Sequence, residues 1–223
     1  MSRTAEKLLS IAAKEIGYKE KETNAQLDNP SANAGDQNFT KYARDLHAAG
    51  YYQANKNGYA WCDMFVDWCF FKLCGSKTAA EEMSCQTGIY GAGCEFSAKY
   101  YKQQNRFYTS DPKPGDQIFF SNYSHTGIVE KISGGVITTI EGNTSNQVAR
   151  RTYAVGSSKI DGFGRPKYQT AAPTTGATKP GTDLDAALKV IAEAIIHGDF
   201  GNGEERKERL FRAAQDKVNE LLK

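Results

Sequence analysis

Apolar residues in the first part of the chain recur at the spacing of helices. Leu8, Ala12 and Ile16 stand at i, i+4 and i+8, and Gly17 closes that run. A second helix is predicted from about Asp36 to Ala48, with Phe39, Tyr42, Ala43 and Leu46 on one face and Gly50 beyond it. A third starts near Cys62. Its Met64, Phe65, Val66, Trp68, Cys69, Phe70 and Phe71 are apolar nearly all round, which predicts the central buried helix. A fourth covers about Glu95 to Gln104. The period then shortens to that of strands. Gln117–Phe120, Thr126–Ile132, Val136–Glu141 and Gln147–Ala154 are short β-branched or aromatic runs, separated by turn residues such as Pro114-Gly115-Asp116 and Gly134-Gly135. Helices followed by an antiparallel meander predict an α+β domain over residues 1–168.

Residues 169–182, QTAAPTTGATKPGT, lose every large apolar side chain and read as a linker stiffened by Pro173 and Pro180. Helical periodicity returns over 183–223. Leu184, Ala187, Leu188, Ile191 and Ile195 form a stripe that opens at Thr182 or Asp183 and ends at Gly198. A second stripe runs through Leu210, Ala214, Val218, Leu221 and Leu222. About forty residues bury too little apolar surface to stand alone, so this small all-helical module is expected to lean on a neighbour, a second copy or a ligand.

Composition narrows the choice. No run approaches the ~20 apolar residues of a membrane helix, so membrane insertion is not expected. The start, MSRTAEKLLSIAAKEIG, alternates charge with short apolar steps and lacks the apolar core of a signal peptide, which points to synthesis in the cytoplasm without a leader. The net charge is +2. Residues 183–223 carry seven basic and nine acidic side chains, and no block of five like charges occurs, so no nucleic-acid partner is expected. Five cysteines is an odd number, which leaves at least one free thiol and suits a reducing compartment.

One of those thiols stands where a nucleophile would. Cys62 opens the predicted buried helix, where the helix dipole and free N–H groups favour thiolate; a small core residue is the competing reading. Of the three histidines, His47 and His197 close helices, an ordinary place for a polar or cationic side chain. His125 instead opens a strand directly after a turn, at a strand mouth that can face a cleft. A neutral imidazole there is a natural partner for a thiol. On the next strand, Glu141 and Asn143 are two apart and so share a face. The Ser133-Gly134-Gly135 turn makes the two strands hairpin neighbours. A carboxylate and an amide beside the histidine can fix its tautomer.

Gly58-Tyr59-Ala60-Trp61-Cys62 with its apolar helix, Lys113-Pro114-Gly115-Asp116-Gln117-Ile118-Phe119-Phe120, and His125-Thr126-Gly127-Ile128-Val129 followed by Glu141-Gly142-Asn143 together resemble the CHAP family. These are cysteine, histidine-dependent amidohydrolases and peptidases with a papain-like fold. The resemblance implies Cys62 as nucleophile, His125 as general base and acid, and Glu141 and Asn143 as its orienting partners. Trp61 is expected to contact substrate. It further implies cleavage of an amide bond in bacterial peptidoglycan, either the N-acetylmuramoyl-L-alanine bond or one in the stem peptide or cross-bridge. A non-catalytic wall-binding protein is the alternative of another class, and the complete residue set speaks against it.

Asp183-Leu184-Asp185, the Gly198–Lys207 segment around GNGEER, and Val218–Leu222 resemble one copy of a cell-wall-binding repeat found in phage lysozymes and linked to muropeptide recognition. Phe200, Asn202 and Arg206 are the expected ligand contacts. Phe211-Arg212-Ala213-Ala214 runs on without the family's turn, so the last two helices are expected to fuse, with self-association through them as one outcome. The protein is then expected to act on the wall after release, in the manner of a phage endolysin. No cofactor is expected. Asn55-Lys56-Asn57-Gly58, where some CHAP proteins carry an acidic calcium loop, has no carboxylate. Cys69, Cys74, Cys85 and Cys94 lack the CxxC spacing of zinc sites.

Overall fold

Five helices and six strands lie in the described part of a computed structural model, residues 3–86 and 93–169. The chain divides into two units, Met1–Ala171 and Ala172–Lys223. The predicted helical module, with Phe200, Asn202 and Arg206, and most of the linker lie outside the described residues.

The helices are α1 (Ala5–Ala13), α2 (Lys41–Ala48), α3 (Cys62–Cys74), α4 (Lys77–Met83) and α5 (Cys94–Gln103). Three begin on a hydroxyl cap. Thr4, Thr40 and Ser76 accept from the backbone N–H of Lys7, Ala43 and Ala79, which satisfies donors that the first turn leaves free. The second helix starts five residues later than the apolar pattern predicts. Phe39 is held instead in backbone pairing with Lys21, whose N–H donates to the Phe39 carbonyl at 2.8 Å, and the helix waits for the Thr40 cap. Helix α4 was not predicted; seven residues with two buried side chains, Ala80 and Met83, leave little periodicity to read.

Helix α3 is the centre, as its composition predicts. Every residue from Cys62 to Phe70 is buried, and Gly75 ends the helix in the left-handed conformation at φ 74°. Its Met64, Phe65 and Val66 share one core with Leu8 and Ala12 of α1, Tyr42 and Leu46 of α2, and Ile128, Ile140 and Val148 from the sheet side. The Tyr42 ring packs at 5.1–5.5 Å from the rings of Trp61, Phe65 and Trp68. Among the described residues no helix is long and apolar enough to cross a membrane.

The strands are β1 (Phe107–Tyr108), β2 (Gln117–Phe120), β3 (His125–Ser133), β4 (Val136–Glu141), β5 (Ala149–Ala154) and β6 (Ile160–Gly164). They form one antiparallel sheet in the order β1-β6-β2-β3-β4-β5. The β2-to-β5 meander matches the sequence expectation. Strand β6 adds to it by returning to pair with β2, and β1 pairs with β6 at the edge. The sequence hides β6 because two of its five residues are glycine. Gly164 must be one: any Cβ there would overlap the Tyr101 ring. The described residues thus form the expected α+β architecture.

Candidate active site

Helix α3 begins without a side-chain cap. Its first flanking residue, Trp61, has φ −118° and ψ 17°, and its side chain makes no cap hydrogen bond. The Trp61 ring is fully buried, and its Nε1 donates to Glu20 Oε2 at 2.7 Å. This corrects the expectation that Trp61 contacts substrate: the ring offers no face to the outside and instead pins the entry to α3.

Cys62 is the first residue of that helix and is 6% exposed. Its Sγ lies 3.6 Å from Cys94 Sγ, at the first residue of α5. The Cys62 thiol is held well below the ordinary range. The contact with Cys94 contributes most. Burial opposes it, and the hydrogen bond and charge of His125 and the Asp63 backbone N–H add to it.

His125 opens β3, and its ring stacks on Phe120 with centroids 5.9 Å apart and planes 28° apart. Its Nε2 is 2.9 Å from Glu141 Oε2, which leaves Nδ1 as the nitrogen for Cys62. Burial works against a charged imidazole, but the bonds to Cys62 and Glu141 outweigh it and raise the His125 pKa to about 9. Sequence reasoning has His125 taking the thiol proton during reaction. The lowered thiol and the raised imidazole both favour the thiolate–imidazolium form, and the two groups titrate as a coupled pair.

Glu141 ends β4 at 1% exposure. Its Oε1 accepts from Thr139 Oγ1 at 2.5 Å and from Tyr153 OH at 2.9 Å, so both oxygens of the buried carboxylate are engaged. The backbone makes room for it. Ile128 pairs with Ile140, which brings Gly127 opposite Glu141, and a Cβ at 127 would lie 2.5 Å from Glu141 Cγ. His125 is then the diagonal neighbour of Glu141 on the same face.

Asn143 stands apart from this chain of contacts. Strand alternation would put it beside Glu141, but β4 ends at Glu141 and Asn143 has φ 51°. Gly142 is pressed against Phe65 and Trp61, where a Cβ would come within 2.5 Å of Phe65 Cβ. The Asn143 Nδ2 donates to Asn38 Oδ1 at 3.3 Å.

Below the thiol, Asp63 is buried between α3, α5 and the sheet. Ser97 Oγ donates to its Oδ2 at 3.0 Å and Gln117 Nε2 to its Oδ1 at 2.9 Å. Burial first, and then the charges of Asp67 and Cys62, push its carboxyl well above the usual range. The loop before Cys62 is tied internally: Asn57 Oδ1 accepts from the Thr40 N–H at 2.9 Å, and Asn55 Oδ1 from the Asn57 N–H at 2.9 Å.

The cysteine, histidine and carboxylate stand together here in the order the sequence carries them. Residues 54–143 match the family model of the CHAP domain. The chain carries a CHAP domain. Its span takes in Cys62, His125, Glu141 and Asn143. Residues 189–222 match the CW_7 repeat, which takes in Phe200, Asn202 and Arg206. No curated protein matches the chain. Among solved structures it is similar to Ly7917, at 14% identity and TM-score 0.44, covering 73% of this chain and 62% of that one; Ly7917 has also been solved with the hydrolyzing product of MDP. It is similar too to the peptidoglycan hydrolase RipB from Mycobacterium tuberculosis, at 13% identity and TM-score 0.38, covering 74% of this chain and 65% of that one. A third is the P60 domain of antigen MAP1204 from M. avium subspecies paratuberculosis, at 14% identity and TM-score 0.35, covering 74% and 96%.

Sequence reasoning missed several groups around the CHAP site. Thr139 and Tyr153 hold Glu141, and period-2 alternation on β4 and β5 could have put them on its face. Phe120 stacks on His125 and stands at the end of a recognised strand. Cys94 gave no signal, because only the fold brings α5 to α3.

Proposed function

We propose that this protein hydrolyses an amide bond of bacterial peptidoglycan by cysteine nucleophilic catalysis. The observation that carries the reading is the Cys62–His125–Glu141 chain at the start of α3, inside a CHAP domain and on the same polypeptide as a CW_7 repeat. The Cys62 thiolate attacks the carbonyl carbon and forms the C–S bond, while negative charge develops on the carbonyl oxygen. The Cys62 backbone N–H at the uncapped helix start is the donor available to that oxyanion. His125 gives its proton to the leaving nitrogen as the C–N bond breaks. Water, deprotonated by the now neutral imidazole, then releases the thioester. Glu141 keeps the imidazole oriented and favours its charged form. No metal enters these steps.

The bond assigned is the one joining N-acetylmuramic acid to L-alanine. The wall is the substrate, reached after release from the cell, with the CW_7 repeat as the attachment to muropeptide through Phe200, Asn202 and Arg206. Mass spectrometry of purified muropeptides after digestion tests the bond. New N-terminal L-alanine is expected. New D-amino-acid or cross-bridge termini would overturn the amidase assignment in favour of an endopeptidase with the same residues.

A further inference from the structure

Two helices in the described domain, α3 and α5, begin with no side-chain cap, and each begins with a cysteine. The other three are capped by Thr4, Thr40 and Ser76. The two uncapped ends meet, with Cys62 Sγ and Cys94 Sγ 3.6 Å apart and no disulfide between them. That is hydrogen-bonding distance for a thiol and a thiolate. We propose that Cys94 is a further catalytic residue of this site, its S–H donating to the Cys62 sulfur and holding it as the thiolate.

The surroundings decide which sulfur keeps the proton. His125 of β3 faces Cys62, and the Asp63 N–H also donates to it. Among the described residues no imidazole acts on Cys94 as His125 acts on Cys62. The Cys94 thiol is pushed far up, first by the bond it gives to Cys62, then by burial in the apolar cluster that both cysteines share with Ala98, Tyr101 and Phe119, and then by the charge of Asp63. Cys85 and Tyr101 of the same cluster are pushed up as well, by burial, and stay neutral. Glu141 acts on the pair through His125. The His125 ring and the Asp63 N–H on the Cys62 side therefore place the charge on Cys62 and leave the proton to Cys94. A bond to an ionised acceptor is stronger than one between neutral groups, so a weak S–H donor contributes here what it would not in water. When Cys62 attacks, its charge passes to the substrate oxygen and the Cys94 bond weakens. Cys94 thus sets the pH at which the nucleophile is available, and does not itself form a bond to substrate.

This inference rests on Cys62 being the nucleophile of the proposed hydrolase, and its test needs no peptidoglycan. The rate of iodoacetamide modification of Cys62 in the full-length protein, kept reduced and located by peptide mass mapping, is measured across pH 4–10. In wild type the thiolate midpoint is expected well below that of an ordinary cysteine. Cys94→Ala is expected to raise the midpoint by about one unit, which is a tenfold smaller thiolate fraction below the midpoint. Cys94→Ser, which keeps a donor, is expected to restore most of it. Circular dichroism at each pH confirms that the same fold is being compared. A midpoint unchanged in Cys94→Ala overturns the proposal. So does a Cys94→Ser midpoint as high as that of Cys94→Ala, because the effect would then be packing. A low midpoint that depends on Cys94 in a protein inactive on peptidoglycan would instead overturn the hydrolase reading alone.

Discussion

At the scale of single residues, Glu141 is proposed to do more than orient an imidazole. It is buried, bonded at both oxygens, and contributes to keeping His125 charged. The sign of the pH dependence follows. In the proposed mechanism the active form has Cys62 deprotonated and His125 protonated. Activity therefore rises on the acid side as the thiolate–imidazolium pair forms, and falls on the alkaline side as His125 loses its proton near pH 9. Glu141→Gln keeps the shape, and its amide can still meet Thr139 and Tyr153, whose hydroxyls can accept as well as donate. Removing the charge is expected to bring the alkaline limb of kcat/KM down by about one unit and to lower its plateau by about tenfold or more. A pH–rate profile of the two proteins checks this; an alkaline limb that stays in place would contradict the role given to Glu141.

At the scale of elements, the strand register carries the site. Gly127 on β3 is where the Glu141 side chain passes, and a Cβ there would have to displace Glu141 Cγ. Gly127→Ala is expected to cost about 1–3 kcal/mol of stability and to cut kcat/KM at least tenfold, with the alkaline limb moving as in Glu141→Gln. Thermal melts and kinetics measure both; full activity would mean the register has slack. The loop before α3 gives a second expectation. Its Asn55 and Asn57 bring no negative charge, and their side-chain oxygens already accept backbone N–H groups. Chelation with EDTA is expected to leave hydrolysis within about twofold, whereas loss with recovery on added calcium would show a site the loop chemistry does not provide.

The same register explains how far the sequence could be read. Strand β4 was legible because Val136-Ile137-Thr138-Thr139-Ile140 is an unbroken β-branched run after the Gly134-Gly135 turn, and with it the hairpin that sets Glu141 beside His125. Asn143 was misread because alternation ends where Gly142 is squeezed against Phe65 and Trp61, a packing event between distant segments. Trp61 was misread for a like reason: nothing local says that Glu20 takes its indole N–H. Strand β6 and helix α4 were invisible because glycine and shortness erase periodicity. The Cys62–Cys94 contact depends on tertiary approach alone.

At the scale of the whole molecule, the chain carries a CHAP match at 54–143 and a CW_7 match at 189–222. One small module is expected to bind weakly, since linked copies raise avidity by ~10²–10⁴ without new contacts. Deleting residues 170–223 is expected to reduce lysis of intact cells several-fold while leaving hydrolysis of a soluble muropeptide nearly unchanged. Light scattering on the full chain and the truncation reads whether self-association brings several copies together. Monomers in both, with lysis unaffected, would contradict a targeting role for this segment. The central claim is that the Cys62 thiolate cuts an amide of peptidoglycan, and it is tested most directly by counting the amino groups released from purified peptidoglycan by the full-length protein and by its Cys62→Ala variant. Wild type is expected to release new amino termini steadily, and the variant, folded by circular dichroism, at less than about a hundredth of that rate. Release by the variant at a tenth of the wild-type rate or more, or none by wild type, would contradict the account.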